Sequence, residues 1–383
     1  MKIILKILII IILFNFTNEQ KVFSNEKIKI GLLIPLSGKN AALGKSIVQS
    51  IRLAINKINN DVIEIYPKDT KSDPNYTLRA AKQLKANGIK IIIGPIFNEN
   101  LVYLDEVEDV IFLSFTNKII KKQKNIISVG INAQSQLNAI LKFQKIEQLT
   151  KTILLLPESD YENEIKKAIS KTKIKVKKIY TYNPDPMQIT KQIEVITKYR
   201  ERKLDLKKEI KKIENSDDFN KKKKIEKLEK KYTLGFVNFD SVIIADFDES
   251  LKSVTTSLLY TDVNPKKTFF ITLNQWFDQS LLKEKSTQSL YFPSINKENF
   301  DKFSKKYFLQ FKEYPNELSI LSYDLIGFIY HLLYKNNFII DNQLFIKKDK
   351  FKGKIGYFVI EKNKINHILS FYKIEDNKFK KIF

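Results

Sequence analysis

The sequence predicts an α/β fold built on parallel sheets, and three observations carry that prediction. Short, nearly continuous apolar runs recur, and three of them, GLLIP, IIIGP and ILLLP, end in a proline. Amphipathic helical segments separate the runs. The alternation occurs twice along the chain, so two such units are expected. Strands covered by helices on both faces read as unbroken apolar runs rather than alternating ones. The β-α-β order then calls for right-handed crossovers. A chain of 383 residues is long enough for two units, each with its own core.

Residues 28–34 form the first expected strand, closed by Pro35 and the loop Leu36-Ser37-Gly38. Ile47, Ile51, Ala54, Ile55 and Ile58 then repeat at helical spacing. A second strand is expected over 62–66, and the loop from Asp69 to Pro74 offers Asp73 or Asn75 as a helix cap. Leu78, Ala81 and Leu84 line the next helix, which Gly88 ends. Strands over 89–93 and 110–115 complete the first series. The second series has helices over 134–148, 162–172 and 250–260, with strands over 152–156, 176–182, 241–245 and 268–273. Near the end, Phe300, Phe303, Tyr307 and Phe311 mark one helix, and Leu321, Leu325, Phe328, Ile329 and Leu332 another. Residues 355–360 and 365–374, joined by Glu361-Lys362-Asn363-Lys364, are expected to form a terminal β-hairpin.

Residues 198–232 interrupt the second series with fifteen basic and eight acidic residues. Asn215-Ser216-Asp217-Asp218 divides the segment, and sparse apolar positions on each side suit a protruding, solvated helical hairpin.

The formal net charge of +24 would fit an anionic partner. Sixty-three of the 67 basic residues, however, are lysines, with only Arg52, Arg79, Arg200 and Arg202 beside them. Bidentate phosphate and base recognition rely on arginine. The accompanying wealth of Ile, Asn and Phe points to codon bias and away from nucleic acid. Cysteine is absent, which excludes disulfides, thiolate metal sites, cysteine nucleophiles and a lipid-accepting cysteine. His331 and His367 are the only histidines, so no HExxH zinc site exists. No dinucleotide fingerprint, P-loop, nucleophile elbow or calcium loop appears. These absences argue against an enzyme, and neither a metal nor a cofactor is expected.

At the start, Lys2 and Lys6 precede an apolar stretch over residues 7–14, and Val22-Phe23-Ser24 suits cleavage. This is the pattern of an export signal over residues 1–24, too short for a transmembrane span. It predicts a free periplasmic protein with no lipid anchor.

Residues 28–44, IKIGLLIPLSGKNAALG, resemble the opening of the leucine/isoleucine/valine-binding family of type I periplasmic binding proteins. Asp69-Thr70-Lys71-Ser72-Asp73-Pro74 resembles that family's second-strand loop, IIIGP its third-strand end, and Ser322-Tyr323-Asp324 its late tyrosine–aspartate pair. The resemblance implies two Rossmann-like lobes joined by three hinge crossings, with a ligand held between them. Lobe one would comprise 28–131 and 293–336, lobe two 132–292 and 337–383, with the charged insertion in lobe two. It implies an amino acid or similar small polar ligand and an ABC permease as partner. The segments VIIADFDESL and TLNQWFD and the terminal hairpin also look like penicillin-binding protein activators, which implies a cell-wall synthesis enzyme as the alternative partner.

Ligand groups follow from position on this resemblance. Ser37 and Gly38 stand at the first strand–helix junction, and Ser114 and Thr116 follow the fourth strand, where the family has a hydroxyl-bearing loop. Asn98 stands where many members have serine, and Tyr161 resembles the family's pocket tyrosine, although Glu162 replaces the usual glycine. Asp246 ends a strand of the second series and could face a ligand ammonium.

Overall fold

The computed structural model describes residues 27–58, 62–118, 120, 124–341 and 343–383; the expected export signal lies outside them. Its first sheet joins β1 (Ile28–Ile34), β2 (Ile63–Asp69), β3 (Ile91–Ile93), β4 (Ile111–Ser114) and β5 (Ile126–Ser128) in the order β2-β1-β3-β4-β5. Every pairing is parallel. Helices α1 (Ala41–Ile58) and α2 (Pro74–Ala86) make the first two crossovers. Asp73 caps α2 by accepting the Asn75 and Tyr76 N–H groups, and Pro74 opens the helix where no N–H is needed. Gly94 allows the backbone after β3 to pass against β1. A Cβ there would lie 2.1 Å from the Leu33 carbonyl oxygen, on a backbone with φ of +101°.

The second sheet has seven strands, five of them forming a parallel part and two an antiparallel edge from the C-terminal segment. Its parallel part comprises β6 (Thr152–Pro157), β7 (Lys178–Tyr182), β8 (Ser241–Ile244), β9 (Phe269–Thr272) and β10 (Leu290–Ser294). Helices α3 (Ala133–Ile146), α4 (Glu162–Lys171) and α5 (Pro186–Ile196) belong to this half. The charged segment follows α5 as α6 (Tyr199–Glu214) and α7 (Lys221–Glu229). Arg202 roots it. Its buried guanidinium donates to the carbonyls of Thr197 and Thr261 and to the Thr233 hydroxyl. Helices α8 (Asp248–Tyr260) and α9 (Ser280–Lys283) complete the covering.

The chain then returns to the first sheet through α10 (Lys297–Phe311) and α11 (Glu317–Lys335). Ser46 of α1 meets Tyr307 of α10 at 2.9 Å and Ser319 of α11 at 2.6 Å. β11 (Asp349–Lys352), β12 (Tyr357–Glu361) and β13 (Lys364–Ile368) form a third, antiparallel sheet. The expected terminal hairpin is corrected here. Its first arm does pair with β13, across the left-handed residues Lys362 and Asn363. The second apolar run breaks at Leu369, however, and its remainder, β14 (Ser370–Glu375), crosses to pair with β10. An apolar run shows that a segment is buried, not which edge it joins. β15 (Lys378–Lys381) completes that edge.

Two buried titratable groups fasten the third sheet. Asp324 of α11 accepts the Ile355 N–H at 2.7 Å, and Gly353 passes so close that a Cβ would lie 2.3 Å from the carboxylate. Burial pushes this carboxyl up to about 6, against the pull of the Lys354 and Ile355 N–H groups. His367 of β13 lies on the crossing between β5 and α3. Its Nε2 donates to the Val129 carbonyl at 2.9 Å, and its ring packs edge-on to Phe358. Its buried Nδ1 has no hydrogen-bond partner among the described residues, and burial lowers the imidazole to about 4, so the ring is neutral.

Candidate functional site

Both parallel sheets change winding direction once, between β1 and β3 and between β6 and β8. Ligands in open α/β sheets sit at such switch points, beyond the carboxyl ends of the strands. A cavity of about 520 Å³ lies beyond the carboxyl ends of both sheets, at the β6/β8 switch point of the second and lined from the first by the segments after β3, β4 and β5. Its volume falls within the roughly 300–1,000 Å³ of small-molecule sites.

Three of the seven residues expected from the sequence line this cavity: Asn98 after β3, Thr116 after β4 and Tyr161 after β6. Thr116 Oγ1 accepts the Lys118 N–H at 3.2 Å, and among the described residues its own proton has no acceptor. No partner for the Asn98 side chain or the Tyr161 hydroxyl occurs among the described residues. Burial raises the Tyr161 phenol, helped by the Glu164 charge, and this keeps it a neutral donor.

The other four lie elsewhere. Ser114 is fully buried and donates to the Pro95 carbonyl at 2.8 Å, while its oxygen receives the Thr116 N–H. It therefore braces the two loops that carry Asn98 and Thr116. Ser37 donates to Asp69 at 2.6 Å, in a clamp that also takes the N–H groups of Leu36 and Lys71. Gly38 is exposed, with a φ of +74° and open space around it. The Asp246 carboxylate is turned inward. Tyr182, Ser250 and the Phe247 N–H all donate to it, and the residue is only 8% exposed.

Tertiary structure adds residues that the sequence reading did not nominate. Gln136 of α3 accepts the Asn274 N–H at 2.8 Å, tying the first turn of that helix to the loop after β9. Asn274 in turn accepts from Ser294 and from the Trp276 N–H. Trp276 and Phe277 are both left-handed, at φ of 46° and 63°. That double step buries Phe277 against Phe292 and Tyr372 and leaves Trp276 on the cavity. The run TLNQWFD carried the signal in its Asn and Trp. Lys118 lines both this cavity and an adjoining one of about 350 Å³. Glu164 lines the second; burial raises its carboxyl, and Lys118 and Lys167 pull it back down. Among the described residues no group of three or more His, Cys, Asp or Glu could hold a metal ion. No helix among them is long and apolar enough to cross a membrane.

Comparison with known proteins agrees with this geometry. The periplasmic binding protein family model matches residues 27–187. An uncharacterized protein of Methanocaldococcus jannaschii is 28% identical over 154 residues, which are 38% of this chain and 34% of that protein. The match thus spans about a third of that relative's length. Among solved structures, a Rhodospirillum rubrum protein assigned as a branched-chain amino acid ABC transporter is similar with a TM-score of 0.71. It is 12% identical, and the match covers 93% of this chain and all of that one. The C-domain of LpoA from Haemophilus influenzae, a regulator of PBP1A, has a TM-score of 0.60 at 16% identity, over 93% of this chain and 100% of its own. At these identities the likeness shows the shared fold.

Proposed function

Because this chain has the type I periplasmic binding protein fold, with that family's sequence pattern over residues 27–187, we propose that it is a solute-binding protein for an ABC-type importer. It would take an amino acid or similar small polar ligand between a lobe of residues 28–131 and 293–336 and a second lobe formed by the rest. One observation carries this reading: the 520 Å³ cavity lies at the carboxyl ends of strands from both sheets and is lined by the polar side chains of Asn98, Thr116 and Tyr161. A second reading, an envelope regulator acting on a cell-wall synthesis enzyme, draws on the likeness to LpoA and on the basic α6–α7 hairpin.

A thermal-shift screen against amino acids and related carboxylates separates the two. At one hundred times the dissociation constant a true ligand stabilises the fold by about 2.7 kcal/mol. Silence across the screen, from a folded protein, would count against the receptor. Thr116→Ala is expected to weaken a ligand about five- to tenfold, the worth of one hydrogen bond, with only a small loss of unliganded stability from its bond to the Lys118 N–H. Ser114→Ala is expected to lower the unliganded melting temperature, since it removes a buried brace. Unchanged ligand affinity in Thr116→Ala would remove that residue from the site.

A further inference from the structure

The two walls of the cavity differ in chemistry. On the side of the seven-stranded sheet, Tyr161, Phe247 and Trp276 follow three different strands, β6, β8 and β9. The rings of Tyr161 and Phe247 stand 6.0 Å apart at 57°. Three rings from three strand ends make an aromatic, polarizable wall that suits another ring, edge-on or offset, better than a branched aliphatic chain. On the side of the five-stranded sheet, Asn98, Thr116 and Lys118 present an amide, a hydroxyl and an ammonium. That set favours a carboxylate.

An α-amino acid also needs an acceptor for its ammonium. Asp246, the acid at the end of β8, has both carboxylate oxygens engaged by Tyr182, Ser250 and the Phe247 N–H. Glu99 is the one acid lining this cavity among the described residues. It lies in the same turn as Asn98, on the carboxylate-binding side and not on the aromatic wall.

Resting on the solute-receptor reading above, we infer that the ligand is an aromatic carboxylate without an α-ammonium, its ring against Trp276 and its carboxylate toward Lys118 and Thr116. Trp276 is the only tryptophan of the chain, so its fluorescence reports occupancy directly.

The test titrates the full-length protein with 3-phenylpropionate, phenylpyruvate, L-phenylalanine, L-leucine and choline, by calorimetry and by Trp276 fluorescence. The expected result is saturable quenching by the two aromatic acids, with L-phenylalanine at least tenfold weaker. Lys118→Gln and Phe247→Leu should each weaken the aromatic acids about tenfold or more in calorimetry, while Glu99→Gln, which removes an anion from the carboxylate side, should bind them at least as tightly as the parent. Trp276→Ala should abolish the fluorescence response and weaken calorimetric binding in a protein that melts like the parent. Binding of either amino acid as tight as that of the aromatic acids, lost in Glu99→Gln, would overturn the inference and leave the receptor reading standing. Preferential binding of choline would overturn it too, assigning the aromatic wall to a cation. If none of these compounds, nor any in the wider screen, binds the folded protein, the inference and the receptor reading fall together.

Discussion

Asp246→Ala is expected to lower the unfolding free energy by about 3 kcal/mol, because it strands the buried Tyr182 hydroxyl and removes the acceptor of two part-buried donors. Tyr182 is 1% exposed, and its hydroxyl has Asp246 as its acceptor. Burial, followed by the Asp246 charge, raises the Tyr182 phenol, so it remains a donor in need of that partner. Ser250 and the Phe247 N–H lose their acceptor in the same step. These contacts join the ends of β7 and β8 to the start of α8. Urea denaturation of parent and variant measures the effect as a drop in midpoint with an unchanged m-value. Asp246→Asn keeps one acceptor oxygen and should lose roughly half as much. A loss below about 1 kcal/mol in the alanine variant would show that these donors find other partners or water.

Between pH 4 and 6.5 the third sheet should carry two opposing pH dependences of about 3 kcal/mol each, one pKa unit being about 1.4 kcal/mol. Asp324 rises from 3.8 to about 6 on folding, so the folded state binds the extra proton. Its contribution is fullest at low pH and is lost as the pH rises through that interval. His367 falls from 6.5 to about 4, so the unfolded state binds the extra proton. Its contribution is intact above pH 6.5 and is lost as the pH falls toward 4. The two slopes nearly cancel in the parent. Stability differences against the parent, measured across pH 4–7, separate them. Asp324→Asn should be progressively stabilised relative to the parent as the pH rises, and His367→Gln as it falls. Parallel profiles for parent and both variants would mean that neither group changes its protonation on folding.

Local chemistry made most of the parallel framework legible. The IIIGP run, the Asp73 cap with Pro74 behind it and the Ile47-Ile51-Ala54 stripe each depend on neighbours within a turn or two. Sequence spacing states such relationships directly. Pairing partners were harder to read. β10 holds a proline and a serine and gives no strong strand signal, yet it lies between β9 and β14. The run over 365–374 reads as one stretch because Ile365, Leu369, Phe371, Tyr372 and Ile374 are all buried, yet its two halves belong to two different sheets.

The candidate site divides the same way. Asn98, Thr116 and Tyr161 were reachable because each follows a strand end, and strand ends show in sequence. Ser114 and Asp246 also follow that rule, but their side chains are spent on loops and strands distant in the chain. Trp276 faces the cavity through two left-handed residues and a hydrogen bond to Asn274, neither of which the apolar pattern encodes. Periodicity and caps thus settle most of the strands and helices, since those choices rest on interactions between near neighbours; β5, β10 and β11 show only in the folded chain. Which strand ends share a cavity, and whether a carboxylate there meets a ligand or a tyrosine, depends on contacts between residues such as Tyr182 and Asp246, 64 positions apart. The folded chain sets those contacts through packing.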